Sequence, residues 1–354
     1  DLSGITAITE AILTMNSMTR LNISRNSLFN HDAGAGQTIG NMLAKHTSLT
    51  EVDVSHSAYS DASRGGPMFG QALAKGLSSN RVLTKLDISN NKLRSSAAHA
   101  LATAFQNNSV LTELNLSATH LTIHKDGNRS DWSGSIAIGN AIPTMTGLTI
   151  LIFGGISSRQ YTRDGSKPAE IRVGQKDINF KNKALKTGDI IIVSKWIPFK
   201  NGQLHSLNMA QNDFITAEAG QALGNLLEQS TALTTLDISE CCSEYLNDGV
   251  GFSEAFSIGL KSNKSLTSLN ISNNHLDDKK NRRQSILKFG MSFFMIEDTD
   301  YALHYLTQAL TNNTNIQTLN ISNNNIAQLG YDEHTFQTFL KTLNTTRIRE
   351  LEYS

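Results

Sequence analysis

The chain has 354 residues, enough for two or three ordinary domains or for one long repeat array. Its 31 Lys and Arg balance 31 Asp and Glu, which argues against a nucleic-acid partner, and 39% hydrophobic residues argue against disorder. The two cysteines, Cys241 and Cys242, are sequence neighbours, which rules out a disulfide scaffold, and no run of eighteen apolar residues predicts insertion across a membrane.

In chain order one pattern recurs, L-x-x-L-x-L-x-x-N-x-L. It reads MTRLNISRNSL from Met18, LTEVDVSHSAY from Leu49, LTKLDISNNKL from Leu83 and LTELNLSATHL from Leu111. A broken copy, LTILIFGG, starts at Leu148. Then come LHSLNMAQNDF from Leu204, LTTLDISECCS from Leu233, LTSLNISNNHL from Leu266, IQTLNISNNNI from Ile316 and IRELEYS from Ile348. The central x-L-x-L-x alternates with period two, so it predicts a short strand with one face inward. The Asn after it can bond backbone groups of neighbouring turns. Asn26, Asn91, Asn212, Asn274 and Asn324, with Cys241 in the same place of its copy, are therefore expected to form a structural ladder. Between blocks, SAAHALATAFQNN (96–108) and EAGQALGNLLEQ (218–229) space their apolar residues as a helix does, for example Ala222, Leu223, Leu226 and Leu227.

Each unit is thus strand, turn and helix, and none can bury its apolar side alone. The prediction is an α/β solenoid of about ten stacked units, a single domain over 1–354, with a curved parallel sheet on the concave side and helices on the convex side. Pattern and spacing resemble leucine-rich repeats of the ribonuclease-inhibitor type. The stretches GVGFSEAFSIGLKSNKSLTSLNISNN and INFKNKALKTGDIIIVSKW are similar to leucine-rich-repeat proteins of algae and other protists. That resemblance implies a fold and brings no activity with it.

Two spacings are too long for one unit. Residues 148–203 predict a further degenerate unit, with a strand near Glu170–Val173, a turn at Phe180–Leu185 and a helix from Thr187 to Trp196. The Gly-, Ser- and charge-rich stretch near 154–169 and the charged run 277–283 read as protruding insertions. After the second, Ile286, Phe289, Phe293 and Phe294 are expected to plug a gap between repeats or to face a partner. AGQTIGNMLAKHTSLTEVDVS (35–55) repeats as AGQALGNLLEQSTALTTLDIS (219–239), and DLSGITAITEAILTM (1–15) repeats as DWSGSIAIGNAIPTM (131–145). The sequence opens within a helix segment and closes within a strand block, so the ends are expected to be covered either by further protein, in cis or in trans, or by the short terminal helix and strand themselves.

Catalytic signals are sparse. GxxxxGK[ST], HExxH, CxxC and GxSxG do not occur. His120 and His124, near Asp126 and Asp131, have the spacing of a metal pair but read as surface histidines. Asp332, Glu333 and His334 are consecutive and diverge on a helix. Cys241 has no base beside it and reads as structural. No catalytic residue, metal or cofactor is expected. The strand face turned from the core reads Asn22, Asp53, Asp87, Asn115, Asn208, Asp237, Asn270, Asn320, with Ser24, Ser55, Ser89, Ser117, Ala210, Ser239, Ser272, Ser322 two residues on. Such small polar groups make poor anchors, so partner binding is expected in the insertions: Tyr59, Arg64, Trp132, Arg159, Tyr161, Arg163, Lys279, Lys280, Arg282 and Arg283. Asn128, in a loop, is the best of the N-x-[ST] acceptors. The expected function is a non-catalytic protein–protein interaction scaffold, a subunit of a larger complex. The alternative is a recognition domain of a larger regulatory or sensor protein, with a loop-borne enzyme far behind.

Overall fold

A computed structural model describes residues 2–26, 34–57, 65–106, 108–121, 131–155, 167–242, 248–276, 302–324 and 333–353. The chain divides into two compact units, Asp1–Val173 and Gly174–Ser354.

The first unit runs α1 (Leu2–Thr14), β1 (Arg20–Asn22), α2 (Gly34–Lys45), β2 (Glu51–Asp53), α3 (Gly65–Ser79) and β3 (Lys85–Asp87). It continues with α4 (Arg94–Gln106), β4 (Glu113–Asn115), α5 (Ser133–Ala141), a 3-10 turn (Ile142–Thr144), β5 (Ile150–Phe153) and β6 (Ala169–Arg172). β1 to β5 lie side by side and parallel, with Leu21, Val52, Leu86, Leu114 and Leu151 aligned in register. β6 returns antiparallel along β5, pairing Phe153 with Ala169.

The second unit begins with β7 (Asp177–Asn179), α6 (Thr187–Lys200), β8 (Ser206–Asn208), α7 (Ala217–Gln229), β9 (Thr235–Asp237) and α8 (Gly249–Ser262). It ends with β10 (Ser268–Asn270), α9 (Ala302–Asn312), β11 (Thr318–Asn320), α10 (Glu333–Leu343) and β12 (Glu350–Glu352). Its six strands are all parallel, in chain order. Alternating helices and parallel strands make each unit an α/β repeat stack, as the pattern predicts. Every one of the sequence blocks supplies one strand.

One element departs from its reading. The segment near Glu170–Val173 is a strand, yet it is the antiparallel β6 of the first unit. The strand of the degenerate repeat is β7, Asp177–Asn179, which pairs parallel with β8. Ile178 and Phe180 there take the buried Leu-x-Leu positions. Period-two alternation marks a strand but not its direction.

The core follows from the pattern. The leading residue of every internal block (Leu49, Leu83, Leu111, Leu148, Leu204, Leu233, Leu266, Ile316) is buried, while Met18 and Ile348 of the two end blocks are half-buried. Both apolar strand positions of the internal blocks are buried, for example Leu269 and Ile271. Burying each such side chain contributes about 1.5–3 kcal/mol. Helices pack against their successors through glycine. A Cβ on Gly259 would sit 1.9 Å from the Gly224 carbonyl oxygen, and one on Gly76 would sit 2.1 Å from that of Gly40. Gly40 and Gly224 are equivalent in the 35–55 and 219–239 duplication, so the duplication preserves a helix crossing.

Candidate functional site

The turn after each strand is built by one side chain. Asn91 Nδ2 donates to Val54 O (2.9 Å) and Ile88 O (3.1 Å), and its Oδ1 accepts from Ser57 N (2.8 Å). Asn274 donates to Ile238 O and Ile271 O and accepts from Cys241 N. Asn324 donates to Ile271 O and Ile321 O and accepts from Asn274 N. Asn212 donates to Phe180 O and Met209 O and accepts from Lys183 N and Leu185 N. Asn26 donates to Ile23 O and Ser24 O. At the same place Cys241 is buried, and its Sγ lies 3.1 Å from Met209 O and 3.3 Å from Ser239 O. Burial pushes its thiol well above the ordinary value, the charges of Asp237, Asp213 and Glu240 adding to the effect against the Asn212 backbone bond. That is the opposite of what a nucleophile needs.

The residue just before this position always turns left-handed. Arg25, His56, Asn90, Ala118, Asn182, Gln211, Glu240, Asn273 and Asn323 have φ between 53° and 60°.

A second series of buried side chains escaped the sequence reading. Asn80 Nδ2 donates to Leu43 O (2.7 Å), and its Oδ1 accepts from Val82 N and Leu83 N. Asn263 and Asn313 do the same between Leu227 O and Leu266 N, and between Leu260 O and Ile316 N. His46 stands in for Asn: its Nδ1 accepts from Ser48 N and Leu49 N, and its Nε2 lies 3.2 Å from Ile12 O. These four side chains each tie the end of one helix to the helix before it. At the end of α4, Asn108 Oδ1 accepts from Val110 N and Leu111 N in the same way, but its Nδ2 makes no such tie among the described residues. The signal was present as an Asn eleven residues ahead of the turn Asn, in Asn80–Asn91, Asn263–Asn274 and Asn313–Asn324.

On the solvent face of the first unit's sheet two rows of side chains cross the strands. One row alternates in sign: Arg20 meets Glu51 at 2.7 Å, and Lys85 lies 3.9 Å from Glu51 and 3.5 Å from Glu113. The other reads Asn22, Asp53, Asp87, Asn115, Ile152. Asp53 accepts from Ser55 N and from Asn22 Nδ2, and Asp87 accepts from Ser89 N and from Asn115 Nδ2. The rows line a groove of about 390 Å³. Burial first, then the Arg25 charge, push the His56 imidazole below its ordinary value, against the pull of Asp87 and Asp53. In the second unit the corresponding rows read Asp177, Ser206, Thr235, Ser268, Thr318, Glu350 and Asn179, Asn208, Asp237, Asn270, Asn320, Glu352, mostly neutral in the middle with carboxylates on the end strands.

Of the anticipated partner-binding residues, Trp132 lies at the start of α5, half-buried, with its carbonyl accepting from Ile136 N. Tyr59, Arg64, Arg159, Tyr161, Arg163, Lys279, Lys280, Arg282 and Arg283 lie outside the described residues, as do His124, Asp126, Asn128, Asp332 and the 286–294 apolar stretch. The side chains of Glu333 and His334 lie outside them too. Asp131 accepts from Ser95 Oγ and from Ser133 N, so its carboxylate anchors the start of α5. Among the described residues no group of three His, Cys, Asp or Glu is placed to hold a metal, and no helix is long and apolar enough to cross a membrane.

A sequence model of the leucine-rich repeat matches residues 79–102, 262–279 and 312–330. Each match contains one helix-end Asn, one strand and one turn Asn. No curated protein matches the chain. Among solved structures it is similar to actin-binding site 2 of leiomodin-1, at 19% identity and TM-score 0.33, over 47% of this chain and 78% of that one. It is similar to the tropomodulin C-terminal domain of Caenorhabditis elegans, at 12% identity and TM-score 0.31, over 44% and 85%. It is similar to TLR13 in its complex with ssRNA13, at 17% identity and TM-score 0.31, covering 97% of this chain and a third (33%) of that one. At these TM-scores the likenesses carry no functional argument. Turn ladder, strand register and repeat matches together identify the chain as one built of leucine-rich repeats.

Proposed function

We propose that the chain is a non-catalytic protein–protein interaction scaffold and a subunit of a larger complex. The observation that carries this reading is the register of the strands. Parallel pairing places equivalent side chains of successive repeats in continuous rows on the solvent face of each unit. A surface of that kind is suited to holding an extended partner at many points. The insertions near 154–169 and 277–283 add Arg159, Tyr161, Arg163 and the Lys279–Arg283 run, residue types that anchor protein interfaces. The finer assignment to the ribonuclease-inhibitor type is supported by a helix in the connection between most neighbouring strands.

The test is mild extraction from the source followed by cross-linking mass spectrometry. Cross-links from the sheet faces or insertions to other chains are expected. A monomer without inter-protein links would sink the scaffold reading.

A further inference from the structure

We propose that the solvent face of the first unit's sheet, over Asp53, Asp87 and Ile152, docks a basic amphipathic helix of a partner protein, lying across the strands. The proposal rests on the scaffold reading and names one surface and one kind of occupant for it.

Charge supplies the first argument. The Arg20–Glu51–Lys85–Glu113 row is paired within itself. Asp53 and Asp87 sit side by side on neighbouring strands, and their hydrogen-bond donors are uncharged Asn side chains and Ser backbone N–H groups. The groove walls therefore carry four carboxylates against two cations. Each carboxylate oxygen has capacity for more than one donor, so a cation can add without displacing the existing bonds. Two charged ammonium or guanidinium groups restore neutrality.

Spacing supplies the second. Neighbouring strands are about 4.8 Å apart. Residues three or four apart on a helix rise about 4.5–6 Å and share a face. Same-face residues of an extended strand are about 6.6 Å apart, a poorer match. Two strands beyond Asp87 the row reaches Ile152, which is half-buried and lines the same groove, before Glu170 of β6, whose carboxylate is paired with Arg172. The expected helix thus has Lys or Arg at two positions four apart and an aliphatic residue seven further on, all on one face.

The probe is a labelled Ala- and Gln-based helical peptide carrying Lys, Lys and Leu at those positions, titrated with the full chain by fluorescence anisotropy. The variant is Asp53→Asn with Asp87→Asn. Asn already stands beside Asn at equivalent positions of the second unit, in the pairs Asn179–Asn208 and Asn270–Asn320, so the fold tolerates it. An unchanged thermal melt checks this. The expected result is saturable binding that weakens with salt and falls about tenfold in the double variant. Ile152→Ser should weaken the Leu peptide and leave its Leu→Ala counterpart unchanged. Equal affinity of wild type and double variant would overturn the proposal. So would absence of binding, or equal binding of a peptide with its lysines on opposite faces. Spermidine competing as well as the peptide would also overturn it, reducing the surface to counter-ion attraction. If the double variant keeps every native cross-linked partner while the peptide fails, the surface falls and the scaffold reading stands. A chain that cross-links to nothing removes the scaffold reading, whatever the peptide does.

Discussion

At the scale of the residue, one turn position governs each repeat. Asn274 serves three backbone groups, the Ile238 and Ile271 carbonyls and the Cys241 amide. Asn274→Ala should cost about 2–4 kcal/mol in denaturant melts, because it leaves several buried polar groups unpaired. Cys241→Ser should cost under about 1 kcal/mol, since a hydroxyl meets the same carbonyls and Ser57 already occupies the equivalent place. The Cys241 thiol is raised by burial, so the folded state holds it neutral. Its stability contribution is complete below the ordinary value of 9.0 and declines as pH climbs above it. Melts across that range should show a loss that Cys241→Ser abolishes, and a thiol reagent should reach Cys241 only on unfolding. The ladder was legible because Asn recurs at a fixed place after an alternating strand. The helix-end series was not, because His46 interrupts it and its Asn lies outside the recurring strand pattern. The small polar strand residues, expected to be poor anchors for a partner, bind the backbone: Asn270 Oδ1 accepts from Ser272 N, and Asp237 Oδ1 accepts from Ser239 N.

At the scale of the element, close helix packing reverses an ordinary rule. Gly→Ala inside a helix normally stabilises by about 0.5–1 kcal/mol. A Cβ on Gly4, in α1, would meet nothing within 4 Å, and Gly4→Ala should follow that rule. Gly259→Ala should instead lower stability by more than about 2 kcal/mol, since its Cβ meets the Gly224 backbone at 1.9 Å. Paired thermal melts of the two variants check the opposite signs. Leu269→Asp places a charge in the shared core of β9 to β11 and should cost more than about 4 kcal/mol, seen as loss of the second unit's cooperative melt. Helix spacing was readable for α4 and α7. It was not for β6 and β7: Ala169, Ile171 and Val173 alternate well enough to pass for a repeat strand, while Ile178 and Phe180 lack the usual leucines.

At the scale of the whole molecule, repeat number and strand order were legible because each unit repeats one local rule. Function was less so, because repeat positions are filled by residues the fold itself requires. The two units differ where that requirement relaxes: charges of both signs alternate across the first sheet, while the second carries Ser, Thr and Asn with carboxylates at Asp177, Asp237, Glu350 and Glu352. Deleting residues 156–168 leaves Gly154 and Gly155 to join Phe153 to its partner Ala169. Both glycines have positive φ, 70° and 81°, as a two-residue hairpin turn demands. The shortened chain should therefore melt as the wild type does and lose partner affinity in a pull-down with the cross-linked partner. Retained affinity would move the interface off that insertion.

The left-handed turn before each ladder position has a consequence for how the sequence can drift. Asn90, Asn182, Asn273 and Asn323 occupy it at low strain, whereas His56, Ala118, Gln211 and Glu240 hold the same backbone at a cost of about 1 kcal/mol each. The array therefore keeps a reserve of small, separable improvements. Exchanging such residues for Asn one turn at a time should raise durability in near-independent steps, since distant sites add. Selection can spend or restore that margin in one repeat while the others hold the architecture.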